Sequence, residues 1–476
     1  MIANLVGGAW RPAQSDADLP VFDPATGEEI ERVPLSTRAD VDAAVTAAAA
    51  RFETWSRVPV MERVRLMFRF KALLEERFEE LAALVTRHHG KTLSEAAGEV
   101  RRGIEVVDFT CGAPTLLQGR TLRGVSTDVD QDVYRYPVGV CAGVPPFNFP
   151  VMIPLWMFPI AVVSGNTYVL KPSERTPLGA VRLAELFLDA GFPEGVLNVV
   201  HGAGEVVDAL IEHPAVTAIS FVGSEPVARH VYRTAGQHGK RVQALGGAKN
   251  HLVVMPDADI EVAAPAILNS AFGNAGERCL AGSVAVMVGA AAQSSVDLLV
   301  ERAGRLRVGP GDQPDVDVGP LIRESHRERV AGYVARGEAE GADVLLDGRS
   351  RMVGPGYFLG PTILDNVSDR MAVGREEIFG PVLSLARAAT LDGAIEQANR
   401  SALGNMAVIF TASGRAGREF RERVQAGMVG INVPIAQPFA FYPFSGWKGS
   451  FYGDLHVHGT DGFEFSTRKK VVVTRW

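Results

Sequence analysis

Cys279 closes the run Phe272-Gly273-Asn274-Ala275-Gly276-Glu277-Arg278-Cys279, a small-residue loop with an arginine beside the sulfur. A thiol in such a loop is accessible and the adjacent guanidinium favours its thiolate, so the expected pKa is depressed and the expected chemistry is nucleophilic attack. The competing reading of a lone cysteine is a small buried hydrophobe. Cys141, inside an apolar run, and Cys111 take that second reading. Three cysteines are an odd number without the close spacings of a metal site or a disulfide framework, which points to a reducing, cytoplasmic compartment. The pairs His88-His89 and His456-Val457-His458 lack converging carboxylates or thiols, so no metal is expected.

The chain that must position this thiol has 476 residues, enough for two or three domains. From residue 138 onward, apolar runs at Val138 to Val144, Thr167 to Leu170, Val196 to His201, Val216 to Val222 and Leu252 to Met255 alternate with helical patterns. Gly and Pro at the joins complete the signature of a parallel sheet covered by helices, and a second such region runs from about 281 to 411. Upstream, Leu66, Phe70, Leu74, Phe78, Leu81 and Val85 mark the apolar stripe of one long helix ending near Gly90. Lys470 to Thr474 reads as an edge strand or an arm that pairs with another subunit. The stretch from Pro137 to Leu170 carries no charge, but six prolines and Asn148 argue against a membrane span and for a buried strand, turn, helix and strand. With 48 basic and 55 acidic residues the net charge is −7, which excludes nucleic-acid binding as a primary role. The first residues carry no signal peptide pattern.

Further motifs flank the cysteine. Gly273-x-x-Gly276-x-Arg278-Cys279 resembles the nucleophile motif of the aldehyde dehydrogenase superfamily, and four other segments resemble its motifs in the family's order. These are Val144-Pro145-Pro146-Phe147-Asn148-Phe149-Pro150, Lys171-Pro172-Ser173-Glu174, Phe221-Val222-Gly223-Ser224 and Glu376-Glu377-Ile378-Phe379-Gly380-Pro381. Three stretches, Phe147 to Pro159, Gly247-Ala248-Lys249-Asn250-His251, and Gly430 to Pro434 with Phe444 to Lys448 and Gly453 to His456, are most similar to the methylmalonate-semialdehyde dehydrogenases, which make a coenzyme A thioester. The resemblance implies two doubly wound α/β domains plus a small β oligomerisation element. Residues 1–115 and 138–246 would form the NAD-binding domain, 247–446 the catalytic domain, and 116–137 with 447–476 the oligomerisation element of a homotetramer. It further implies that Cys279 is the nucleophile and Asn148, with the backbone N–H of Cys279, the oxyanion donor, one such donor being worth about 3 kcal/mol. Pro145, Phe147, Lys171, Glu174, Arg175, Ser224, Gly246, Glu377 and Phe379 would hold NAD. Gly202-Ala203-Gly204 lacks the third glycine of the ordinary dinucleotide fingerprint, and the resemblance implies instead that Lys171 and Glu174 meet the adenosine ribose, Ser224 a phosphate near a helix N-terminus and Glu377 the nicotinamide ribose. A carboxylate at the adenosine ribose repels a 2′-phosphate, and Glu174 therefore favours NAD over NADP.

Arg278 and Arg102, the latter in Arg101-Arg102-Gly103-Ile104-Glu105-Val106-Val107, are the candidate forks for a substrate carboxylate; the alternative is that both are structural ion-pair partners. Where hydrolytic members place a glutamate base, this chain has Leu245. Leucine cannot take a proton from water, whereas a coenzyme A thiol is already partly ionised near neutrality, so thiolysis is favoured over hydrolysis. Glu277 is a candidate base in some other arrangement. The expected activity is NAD-dependent oxidation and decarboxylation of malonate or methylmalonate semialdehyde to acetyl- or propionyl-CoA, in valine or inositol breakdown. The competing readings are a non-acylating dehydrogenase releasing free acid, and a catalytically idle relative kept as a binding protein.

Overall fold

The protein is described by a computed structural model covering residues 1–351 and 354–476. The apolar runs become two sheets. In the first, the parallel strands Leu197–Val199, Thr167–Leu170, Val140–Val144, Val216–Val222 and Arg241–Leu245 lie side by side in that order. Antiparallel strands Asn4–Val6 and Phe451–Gly453 close its two sides, and Ala9–Arg11 extends beyond the former. The second sheet runs Asp343–Leu346, Thr362–Asp365, Val382–Ala388, Gly282–Val288, Asn250–Val254, Met406–Phe410 and Met428–Ile431, parallel except at its first pair. Such strands are buried on both faces, which is why they read as continuous apolar runs. The uncharged stretch resolves into strand Val140–Val144, helix Met152–Val163 with every residue buried, and strand Thr167–Leu170. No helix among the described residues is long and apolar enough to cross a membrane.

The long helix expected through Leu66 to Val85 is instead two, Val60–Glu76 and Phe78–His89, broken at Arg77 with φ −100° and ψ 18°. The spacing of Leu74, Phe78 and Leu81 continues across the break, and no Gly or Pro marks it, so periodicity alone could not register it. Gly90, at φ +96°, ends the second helix in the left-handed conformation that favours glycine.

A three-stranded antiparallel sheet stands apart, with Val129–Pro137 between Arg120–Ser126 and Thr467–Arg475. Its outer residues Leu122, Tyr134, Val471 and Val473 are exposed. The connections place the two large sheets end to end. The carboxyl ends of the first sheet's strands feed Pro145 to Pro150, Lys171 to Arg175 and Gly223-Ser224, while Gly246 to Lys249 crosses directly into strand Asn250–Val254. The nucleophile loop and Glu376 to Pro381 enter strands Gly282–Val288 and Val382–Ala388 from the same junction. Ligands of open α/β sheets bind at such strand ends.

Candidate active site

Helix Ile260–Phe272 stops at Gly273, and a short 3-10 turn follows in which Asn274 and Ala275 take left-handed φ values of 55° and 51°. Gly276 continues at φ +72°, where an added Cβ would collide with the backbone of Gly380. Non-glycine residues held left-handed cost of order 1–3 kcal/mol and need surrounding contacts to hold them. Glu95 supplies these, accepting from the Asn274 N–H at 2.6 Å and from Arg278 Nη2 at 2.8 Å, while the side chains of Asn250 and Asn405 donate to the Cys279 carbonyl at 2.9 and 2.8 Å. Sequence reasoning missed Glu95 as part of this site. Its only local signature is the capping box Thr92-x-x-Glu95, whose geometry is present at the start of helix Leu93–Thr110.

Cys279 lines two cavities at once. The larger, about 540 Å³, is walled by Pro145, Phe147, Lys171, Glu174, Arg175, Ser224, Gly246, Glu377 and Phe379, together with Asn148, Arg323, His326 and Arg329. The smaller, about 220 Å³, is walled by Lys91, Glu95, Glu99, Arg102 and Arg278 among the apolar Phe149, Met152, Trp156, Leu280, Ile435 and Phe444. The structure therefore gathers every sequence-assigned cofactor residue round one cavity and both candidate arginines round the other.

In the larger cavity, Ser224 begins helix Glu225–Gln237 without capping it through its side chain, which leaves backbone N–H groups and the positive end of the helix for an anion. Lys171 Nζ meets Glu174 Oε2 at 3.0 Å. Burial alone would raise the Glu174 pKa, but Lys171 and then Arg175 hold it below the ordinary carboxylate range. Arg175 lies 5.1 Å over the Phe147 ring, which meets Phe379 edge-on at 5.8 Å. Phe379 is itself left-handed, at φ 60°, its carbonyl held by His326 Nε2 at 2.7 Å. Glu377 is pushed up to about 7 by burial and accepts the Ala248 N–H at 2.9 Å. A Cβ on Gly247 would fall 2.6 Å from Glu377 Oε2, so a larger residue there would displace that carboxylate. These residues fit a dinucleotide: an uncapped helix start for phosphate, carboxylates for ribose hydroxyls and aromatic rings for a nicotinamide.

The expected depressed thiol is corrected. Burial pushes Cys279 up to about 12, the Glu377 carboxylate adds to the rise, and the N–H groups of Cys279 and Leu280 offset only part of it. Arg278 contributes little because Glu95 already holds its guanidinium. Cys111 and Cys141 are likewise raised to about 12 by burial, and what sets Cys279 apart is that it alone of the three lines these cavities. Asn148 is buried, its Nδ2 donating to the Glu277 carbonyl at 2.8 Å. Leu245 ends its strand 5% exposed and lines neither cavity.

Glu277 is fully buried and also lines neither, which removes it as a base for water at the thiol. Its carboxyl faces His326 Nε2 at 3.4 Å, His89 Nε2 at 3.8 Å and the Ile322 N–H at 3.3 Å, and burial raises it to about 8 against the nearby charges of Arg175 and Lys91. The folded protein thus keeps a proton that the unfolded chain releases above about pH 4.5, and stability falls as pH rises toward about 8. Glu277→Gln, with N–H in place of the acid's O–H, removes that loss. Its melting temperature relative to wild type should climb by a few degrees between about pH 5 and 8 in calorimetry. A flat difference across that window would mean that Glu277 titrates normally.

The chain belongs to the aldehyde dehydrogenase family, whose model matches residues 10–472. Within it, malonate-semialdehyde dehydrogenase 1 of Geobacillus thermodenitrificans is 54% identical, covering 100% of this chain and 99% of the relative. The crystal structure of a methylmalonate-semialdehyde dehydrogenase from Oceanimonas doudoroffii superposes at a TM-score of 0.98 with 46% identity, over 100% of this chain and 98% of that one. A Sinorhizobium meliloti 1021 protein solved in complex with NAD also gives 0.98, at 43% identity and the same coverage.

Proposed function

We propose that this protein oxidises malonate or methylmalonate semialdehyde with NAD and releases the acyl group to coenzyme A as acetyl- or propionyl-CoA. The observation that carries the reading is Cys279 at the meeting of a dinucleotide-sized cavity and a small, largely apolar cavity whose wall includes the guanidinium groups of Arg102 and Arg278. NAD supplies the hydride acceptor. Cys279 gives up its thiol proton to solvent in the cavity and adds as the thiolate to the aldehyde carbon, and the oxyanion that forms is met by the Asn148 amide and by the Cys279 N–H. Collapse of that oxyanion expels hydride and leaves a thioester on the sulfur. Arg102 and Arg278 hold the substrate carboxylate meanwhile. When the carboxylate leaves as carbon dioxide, its electron pair passes to the thioester oxygen as an enolate. The donors that met the first oxyanion meet this one too, before the carbon takes a proton.

Leu245 supports thiolysis as the exit, since no carboxylate stands at that position to activate water. The exposed Leu122, Tyr134, Val471 and Val473 of the three-stranded sheet support a homo-oligomer, by family resemblance a tetramer. Three free cysteines support a reducing cytoplasmic setting, and the valine or inositol pathway belongs to the same reading. The test is NADH formation from malonate semialdehyde with and without coenzyme A, with the product identified by mass. Sustained turnover only with coenzyme A, giving acetyl-CoA, is expected; equal turnover without it, giving free acid, would overturn the acylating assignment.

A further inference from the structure

Lys91 and Glu99 form a charged pair with both side chains completely buried, and the reaction as described uses neither. Lys91 Nζ donates to Glu99 Oε2 and to the backbone carbonyl of Asn148, both at 2.6 Å, and sits 4.1 Å over the Phe149 ring. The other oxygen of Glu99 accepts the N–H groups of Val151 at 2.8 Å and Met152 at 3.1 Å. Those groups open helix Met152–Val163, which has no side-chain cap of its own. The pair therefore grips both ends of the segment 148–152. Pro150 within it, and Pro145 and Pro146 just before it, have no N–H to donate, so the turn has few backbone bonds with which to fix itself.

A buried ion pair recovers little stability over an apolar pair of the same volume, so stability is a poor account of this one. What it holds is the turn bearing the Asn148 amide, which donates one N–H to the Glu277 carbonyl and lines the same cavity as Cys279. We propose that Lys91 and Glu99 are positioning residues that set the distance and angle of the Asn148 amide to the oxyanion on Cys279. Lys91 also borders the small cavity, but its charge is matched by Glu99 and its Nζ is committed to two acceptors.

The proposal rests on the reading of Asn148 as oxyanion donor, so Asn148→Ala is run beside Lys91→Met and the double variant Lys91→Met with Glu99→Gln. The double variant leaves no unpaired charge and keeps an acceptor for Val151 and Met152. Single-turnover NADH bursts are recorded with malonate semialdehyde and with propanal, in the absence of coenzyme A. Burst amplitude counts competent sites, so partial misfolding does not distort the rate. Both Lys91 variants are expected to slow the burst roughly 100-fold with either aldehyde, with NAD affinity unchanged. Loss with malonate semialdehyde alone would make Lys91 a carboxylate ligand and overturn the proposal, as would wild-type rates or failure of both variants to fold. Wild-type rates in Asn148→Ala would instead sink the reading of Asn148 itself.

Discussion

Cys279→Ser is expected to lower NADH formation from malonate semialdehyde by roughly 10,000-fold or more, with NAD affinity and the melting curve unchanged. Serine keeps the shape of the loop and the contacts of Asn250 and Asn405 to the residue 279 carbonyl, since both go to backbone. What it loses is the sulfur, since a serine alkoxide is far harder to form than even a thiolate of raised pKa, and no base stands at Leu245 to activate a hydroxyl. Alkylation of the native protein reports on the thiol itself. With its pKa pushed up to about 12, Cys279 is almost wholly protonated at neutrality. Iodoacetamide labelling of the cofactor-free protein should therefore accelerate about tenfold per pH unit from roughly pH 7 to 10 without levelling. A plateau near the free-cysteine value would mean that burial does not govern this sulfur. Faster labelling of Cys279 than of Cys141 at every pH is expected from the cavities alone, and equal rates would favour an idle relative.

Much of this architecture was legible because it is local. Strand Val216–Val222 is an apolar run bounded by turns, and burial on both faces removes any alternation that could have confused it. The site residues assigned by motif fall together because Asn148, Lys171, Glu174, Ser224 and Gly246 follow the carboxyl ends of the first sheet's strands while Cys279, Glu377 and Phe379 lead into strands of the second, and the two sets of strand ends share one junction. What stayed hidden depends on distance along the chain. Glu95 meets Arg278 across 183 residues, and Lys91 meets Asn148 across 57; each reads alone as a surface charge. The thiol was misjudged for a related reason, since the neighbouring Arg278 is visible in sequence while Glu95, which holds its guanidinium, and the burial that dominates are not. Strand Phe451–Gly453 gave no sign that it returns from the end of the chain to close the first sheet against Leu245.

Arg102 and Arg278 offer the other large effect, because both candidate readings have a partner in the structure. Arg278 bridges Glu95 at 2.8 Å and Arg102 bridges Glu105 at 2.9 Å, yet both also wall the small cavity beside Cys279. A guanidinium has five N–H donors, and a single carboxylate leaves several to face the cavity. Arg278→Leu does not strand Glu95, whose oxygens keep the N–H groups of Asn274 at 2.6 Å and Thr92 at 3.1 Å, so the nucleophile loop should survive the change. Glu105 is partly exposed, so water takes up its carboxylate when Arg102 is replaced. Losing one partner of a desolvated charge pair costs about 2–5 kcal/mol, or roughly 30-fold to several thousand-fold in kcat/KM. Each single substitution should impose that loss on malonate semialdehyde and less than about threefold on propanal, which has no carboxylate to hold. The ratio of the two specificity constants is the decisive reading, since a merely structural arginine would lower both together. If the arginines fork onto one carboxylate, the double variant should lose less than the product of the two single losses, because the second removal acts on a carboxylate already ungripped.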